Sequence, residues 1–363
     1  MKKLIVLGLA VTLLLLGCGK PADETTAPTT EPTIVTEVPT TAAPTTEPTT
    51  VPTTVPTEPA PVDTNPLTGE ALDEVCNQRP VAVQINNHKA ALPQCGIGQA
   101  DLIYEILAEG NITRFTAYFT DVKDAGPVGP IRSLRAYYLD IMRGYDAICV
   151  SAGGSAEADG MVRNLGYDRL NAISGFGSRY CYRWKRGNEA YEHRLFVKGE
   201  DILNGAEYYD MRTTDPDDKD YGMTFTKDPF TAGDANAEIG IEFLTGGKTT
   251  TLTYQADKGY YTAYQQGQTL VDGNTMEEIP FRNVLVLRAE TSTLDSEGHR
   301  RVVTTGEGEG YYARDGHVIP MTWKRDSDTS TFEYYDEAGN PITFGVGKSY
   351  IAVIPTGSPV TLS

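Results

Sequence analysis

Three polar segments hold the side chains that could act together: Asn86-Asn87-His88, the run Gly129-Pro130-Ile131-Arg132-Ser133 with Arg135 behind it, and Gly153-Gly154-Ser155 followed by Glu157. Each follows a stretch that reads as a strand, and ligands of open α/β sheets bind beyond the carboxyl ends of strands, where loops converge. Gly153-Gly154-Ser155 would open a helix whose free N–H groups favour an anion, and Arg132 and Arg135 could add paired contacts to a carboxylate or phosphate. The same residues have plainer uses. The arginines could instead pair with Glu105 or Glu109 and tie a helix to the sheet, and two glycines often make no more than a tight turn. His88 and His193 read first as hydrogen-bonded turn residues. As a base, either would need Glu105 or Glu157 as acid or orienter and Ser133 or Ser155 as nucleophile. No GxSxG, HExxH, SxxK or phosphate-loop spacing supports such a role. Paired carboxylates leave no local signature, so a glycosidase-like hydrolase stays as the alternative to a binding module.

The elements that must position these residues follow from periodicity. Val81 to Ile85 is a β-branched run bounded by Pro80 and the Asn86-Asn87-His88 turn, as a buried strand would be. Residues 102 to 119 admit a helix or a hairpin. Turn chemistry at Gly110-Asn111 and strand formers from Arg114 to Phe119 favour the hairpin. That register puts Glu105, Glu109 and Arg114 on one face, as a polar stripe on a sheet packed on its other side. Helices are expected from Ser133 to Gly144, with Ser133 as cap, and from Ser155 to Leu165, with a strand from Ala147 to Ser151 between them. The acidic break TTDPDDKD, Thr213 to Asp220, ends this pattern, and from Ile239 to Ile354 the chain shows only short alternating runs separated by Gly, Asp and Asn. The expectation is an α+β protein. An N-terminal α/β domain with a mixed sheet would span residues 65–220, and a mostly antiparallel β-rich domain would span 221–358.

Before residue 65 the chain reads as an export and anchoring device. Lys2 and Lys3 precede an apolar run from Leu4 to Leu16, and Gly17 sits before Cys18. These are the parts of a signal peptide over residues 1–17, with a run short for a membrane span. Leu15-Leu16-Gly17-Cys18 resembles the bacterial lipobox, so cleavage before Cys18 and acylation of its sulfur are expected, with a lipid anchor as the membrane contact. Residues 21 to 64 are rich in Thr and Pro without Lys or Arg, too polar to bury a core. At about 3.1 Å per residue, the tether from residue 18 to 64 would reach on the order of 100 Å.

The net charge of −18 excludes nonspecific binding to nucleic acid or to anionic lipid, since both require a cationic surface. Within this acidic protein, Arg183, Lys185 and Arg186 beside Tyr182 and Trp184 make a basic, aromatic island, the best single candidate for a contact surface. Cys76 and Cys95 flank one expected strand and could form a bridge or remain free, whereas Cys149, inside Ala147-Ile148-Cys149-Val150, reads as a buried inert thiol. No CxxC-type spacing is present, and no metal or cofactor is assigned.

The blocks NPLTG (Asn65 to Gly69), RPVAVQINNH (Arg79 to His88), GIGQADLIYEILAEGNITRF (Gly96 to Phe115), VGPIRSLRAYYLD (Val128 to Asp140), YEHRLF (Tyr191 to Phe196) and GYYARDGHVIPMTWKR (Gly310 to Arg325) resemble the YerB-type lipoproteins. The likeness extends over nearly the whole chain after the tether. It implies a bacterial envelope lipoprotein with an N-terminal and a C-terminal part, both of unknown function, and implies no activity. Cys76 and Cys95 depart from the family pattern. Together the readings lead to a protein anchored on the extracytoplasmic face of the cell membrane, acting as a binding or adaptor module for a cell-wall polymer or an envelope protein. A wall-modifying hydrolase using paired carboxylates or His and Glu is the alternative, and a solute-binding receptor a third reading.

Overall fold

In the computed structural model strands far outnumber helices among the described residues, with β-branched and aromatic runs on the long strands. The structure describes residues 62–216 and 219–363. The expected leader (1–17), Cys18, nearly all of the 18–64 tether, and Asp217 and Asp218 of the acidic break lie outside the described residues. The first half supplies strands β1 (Val81–Asn86), β2 (Leu102–Glu109), β3 (Ile112–Phe119), β4 (Ile148–Ser151) and β5 (Arg169–Asn171). Its helices are α1 (Ala136–Gly144), α2 (Ala156–Leu165), α3 (Gly175–Tyr180) and α4 (Gly199–Tyr208). The second half adds β6 (Glu238–Glu242), β7 (Thr249–Gln255), β8 (Tyr260–Gln265), β9 (Asn283–Ala289), β10 (Gly306–Arg314), β11 (His317–Arg325) and β12 (Ser349–Pro355).

One mixed sheet runs through both halves in the order Asp234–Ala235, β11, β10, β9, β12, β2, β3, β1, β4, β5. β12 lies parallel to β9 on one side and to β2 on the other, so the last long strand of the chain joins the halves. The described residues accordingly gather into one compact unit. β3 is antiparallel to both β2 and β1, and β4 and β5 continue parallel to β1. The strands β1, β2, β4, β5, β9 and β12 therefore all end on one rim. A separate antiparallel sheet is built from β6, β7 and β8 with the edge strands Gln268–Thr269 and Val360–Leu362. The fold is α+β, with a mixed sheet in the N-terminal part and antiparallel sheets in the C-terminal part.

Both faces of the mixed sheet are covered, which is why β1 and β2 read as nearly unbroken apolar runs. On one face Val83, Ile103, Phe115 and Val150 pack with Phe176 of α3, Ile202 of α4, and Ile241, Leu252 and Tyr261 of the antiparallel sheet. On the other, Tyr104, Ile106, Tyr118 and Cys149 pack with Tyr138 and Met142 of α1 and with Trp323, Phe332 and Tyr334. The hairpin over residues 102–119 forms as the turn chemistry requires. The expected common polar face does not. A register shift between Leu107 and Glu109 turns Glu109 to the α1 side with Arg114, while Glu105 faces the antiparallel sheet.

Ser155 caps α2 by accepting the amide of Ala158 at 3.2 Å. Ser133 does not cap α1: Arg135 occupies that position, because the backbone from Ile131 to Leu134 is held extended against Ile85, Gln84 and Gly153. Cys149 is fully buried. Cys76, Cys95 and Cys181 are free thiols like it, so no bridge joins Cys76 to Cys95.

Candidate functional site

Backbone hydrogen bonds bring the three polar loops together at the rim. Arg132 N–H donates to Gln84 C=O at 2.8 Å, Ala152 N–H to Arg132 C=O at 2.9 Å, Leu134 N–H to Gly153 C=O at 2.9 Å, and Ser155 N–H to Leu134 C=O at 3.0 Å. Within this convergence the charged groups divide. Arg135 donates to Glu109 Oε2 at 2.8 Å, and Arg114 grips Oε1 of the same carboxylate while donating to Ser133 C=O at 2.5 Å. Both arginines are therefore committed to tying α1 to β2 and β3. Burial, with the neighbouring Arg135 charge, holds the Arg114 pKa below its usual value, and Glu109 opposes this. At the start of α2, Gly153 takes a left-handed φ of +67° and its N–H is held by Asn171 Oδ1 at 3.0 Å. Glu157 and Asp159 occupy the first turn; Glu157 lies 3.7 Å from Arg301, and Asp159 2.5 Å from Arg169. That helix end already has carboxylates facing its dipole.

Glu105 is fully buried and meets residues of both halves. Its Oε1 accepts from Asn87 Nδ2 at 2.8 Å, from Thr113 Oγ1 at 2.5 Å and from Lys248 Nζ. Its Oε2 accepts from Thr250 Oγ1 at 3.0 Å and from the Tyr350 hydroxyl. Burial pushes the Lys248 pKa down while Glu105 holds it up. Asn87 and Gln265 exchange a reciprocal pair of amide hydrogen bonds, both at 2.9 Å, and Gln94 Nε2 donates to Asn87 Oδ1 at 2.8 Å.

Above this network lies a cavity of about 530 Å³, within the range of small-ligand sites. Asn87 and His88 form one wall, and three hairpin tips complete the rim: Asn111-Ile112, Gly247 to Thr249, and Gln265-Gln266. A Cβ at Gly247 would meet the Asn111 carboxamide and the Leu244 carbonyl, so a side chain there would have to displace one or both. Tyr264, 50% exposed, presents its ring to the space, with Thr251 beside it. The lining is amide, hydroxyl and aromatic. Its one charged group, Lys248, is neutralised from below by Glu105.

His88 also stacks on His193, with ring centroids 5.2 Å apart and planes 6° from parallel. Asn86 Oδ1 accepts the His88 amide at 3.0 Å, so its Nδ2 must donate to His193 Nδ1, 2.6 Å away. His88 Nδ1 accepts the Ala90 amide at 3.1 Å. Each neutral ring therefore carries its proton on Nε2. Burial, the Arg132 guanidinium and the His88 ring keep the His193 pKa below its usual value, with Glu192 opposing. Arg132 makes no ion pair among the described residues.

Asn86, Asn87, His88, Glu105, Arg132 and His193 are thus gathered around the cavity and its flank. Arg114, Ser133 and Arg135 belong to the Glu109 clamp, and Gly153, Gly154, Ser155 and Glu157 to the opening of α2. Sequence reasoning missed Lys248, Thr250, Gln265 and Tyr350. Lys248 follows Gly246-Gly247 and reads as an ordinary hairpin tip, and no local signal links it to a carboxylate in β2.

A rim of polar loops on a sheet that both parts of one chain complete defines a two-part α+β protein. The chain belongs to the family described as protein of unknown function (DUF3048), matching its N-terminal domain over residues 67–212 and its C-terminal domain over residues 239–351. It is 28% identical over 304 residues to the "Putative lipoprotein YerB" of Bacillus subtilis (strain 168), covering 82% of this chain and 88% of that protein. It also resembles the crystal structure of the YerB protein from Bacillus subtilis, with a TM-score of 0.71 and 26% identity, over 82% of this chain and 99% of that one. No helix among the described residues is long and apolar enough to cross a membrane.

Proposed function

We propose that the protein is an envelope lipoprotein, acylated at Cys18 and held on the extracytoplasmic face of the membrane, whose folded region binds a cell-wall polymer in the cavity beside Asn87 and His88. The observation that carries this reading is the lining of that cavity. Neutral amides and hydroxyls around a half-exposed tyrosine match a ligand rich in hydroxyl and amide groups, such as a wall glycan, and the aromatic ring gives it a stacking face. The underlying Glu105 network fixes Asn87 and Gln265 before any ligand arrives, which reduces the ordering cost of binding. Arg132, whose charge acts on His193 and which makes no ion pair among the described residues, would take an acidic group of the same polymer. Membrane attachment comes from the lipid, and nucleic acid is not a partner of so acidic a chain.

The test is co-sedimentation of the full-length acylated protein with purified cell walls. Tyr264→Ala and Gln266→Ala are expected to weaken retention by about tenfold, the loss of one stacking or hydrogen-bonding contact. Retention unchanged in both variants would reject the cavity as the binding site.

A further inference from the structure

Two further cavities, of about 840 and 720 Å³, meet at Trp184 and Gly273 and form one groove away from Asn87 and His88. Trp184 is 38% exposed, whereas the other tryptophan, Trp323, is 2% exposed. Its indole stands edge-on to Phe196, with centroids 5.5 Å apart. The loop that carries it is clamped: Arg186 donates to Pro93 C=O at 2.5 Å and Ala91 C=O at 2.9 Å, and Trp184 N–H donates to Arg194 C=O at 2.8 Å. The tryptophan is therefore a held platform.

Charge differs on its two sides. The larger cavity is lined by four carboxylates and the single ammonium of Lys348. Two of those carboxylates are occupied, Glu278 by Lys258 at 3.0 Å and Asp272 by the amides of Gly98 and Asn274. Asp124 and Glu277 are exposed and have no ion-pair partner among the described residues. In the smaller cavity Lys185 is exposed and Arg186 is bound to neutral carbonyls, while the carboxylate of Glu189 is taken by the Arg186 amide and lies 3.8 Å from Arg194. Uncompensated negative charge thus lies on one side of the indole and uncompensated positive charge on the other.

We propose that this groove binds a short peptide with free ends, its ammonium among Asp124 and Glu277, its carboxylate at Lys185 and Arg186, and its middle across Trp184. Polyanions are repelled by the acidic half and polyamines by the basic half. A neutral glycan leaves both sets of charges unmatched. A zwitterionic chain satisfies both, and four extended residues span about 13 Å at about 3.3 Å each.

The experiment is a calorimetric titration of the full-length acylated protein in detergent, at low salt, with tetra-alanine bearing free ends, its N-acetylated form and its C-amidated form. Tryptophan emission gives a second readout, because Trp184 is the exposed one of the pair. The free peptide is expected to bind and shift emission to shorter wavelength, and capping either end to weaken binding about tenfold. Glu277→Gln should weaken the free peptide and leave the N-acetylated form unaffected; Lys185→Gln should do the same for the C-amidated form. Absence of binding, equal affinity for capped and free peptides, or displacement of the peptide by an N-acetylglucosamine tetramer of higher affinity would each overturn the proposal. None of these outcomes depends on the cavity beside Asn87 and His88, so the two sites are tested separately.

Discussion

Glu105 and Glu109 lie one helical-turn's spacing apart in sequence but on opposite sides of the same sheet, and their surroundings differ in kind. Glu105 is sealed from water and bound by groups from both halves: Asn87 and Thr113 on one side, Lys248, Thr250 and Tyr350 on the other. The Glu109 side chain keeps 23% of its surface exposed and binds Arg114 and Arg135, which belong to its own half. The first carboxylate joins two parts of the protein; the second fastens one helix to its sheet. A buried pair that crosses between parts has no solvent to replace a missing partner, and this asymmetry makes the comparison testable.

The largest effect is expected at Glu105. Glu105→Ala leaves the Lys248 ammonium buried without its partner and should cost about 3–5 kcal/mol in urea unfolding. The double variant Glu105→Leu, Lys248→Met should lose far less than the sum of the two single changes. Strict additivity would mean that the pair is not coupled. Glu109→Gln is the next test. Water can reach the site and Arg114 keeps the Ser133 carbonyl, so a loss of about 1–2 kcal/mol is expected, and a loss equal to that at Glu105 would erase the distinction.

The smallest effect concerns pH. With the His193 pKa below its ordinary value of 6.5, the folded protein binds fewer protons there than the unfolded chain, so the stability linked to this group is present above pH 6.5 and is lost as pH falls through that value toward the folded pKa. Arg132→Gln removes one cause of the depression. The His193 resonances should then titrate at higher pH by NMR, and the acid loss should shrink by a few tenths of a kcal/mol. An unmoved titration would place Arg132 outside the electrostatic reach of the ring.

What could be read from the sequence was local. Gly110-Asn111 marked the hairpin, Ser155 marked the start of α2, and each alternating run from Ile239 to Ile354 has a strand on it. The loops Asn86-Asn87-His88 and Arg132 were legible as rim elements because they follow strands. The misreadings arose where distant parts of the chain meet. The shift at Leu107 to Glu109 moves a side chain to the other face without changing composition, and Ser133 looked like a cap until pairing with Gln84 and Gly153 took its segment out of the helix. Lys248 could not be matched to Glu105 because 143 residues separate them and only the sheet-on-sheet packing brings them together.

The position of β12 has a consequence for how the molecule is made. Ser349–Pro355 fills the gap between β9 and β2, yet it is synthesised long after β2. Until it emerges, one flank of β2 remains an open row of unpaired backbone groups, which any other extended chain could engage. The amino-terminal region therefore has to wait for β12, and truncation before Ser349 should yield aggregation-prone material rather than a shortened working protein.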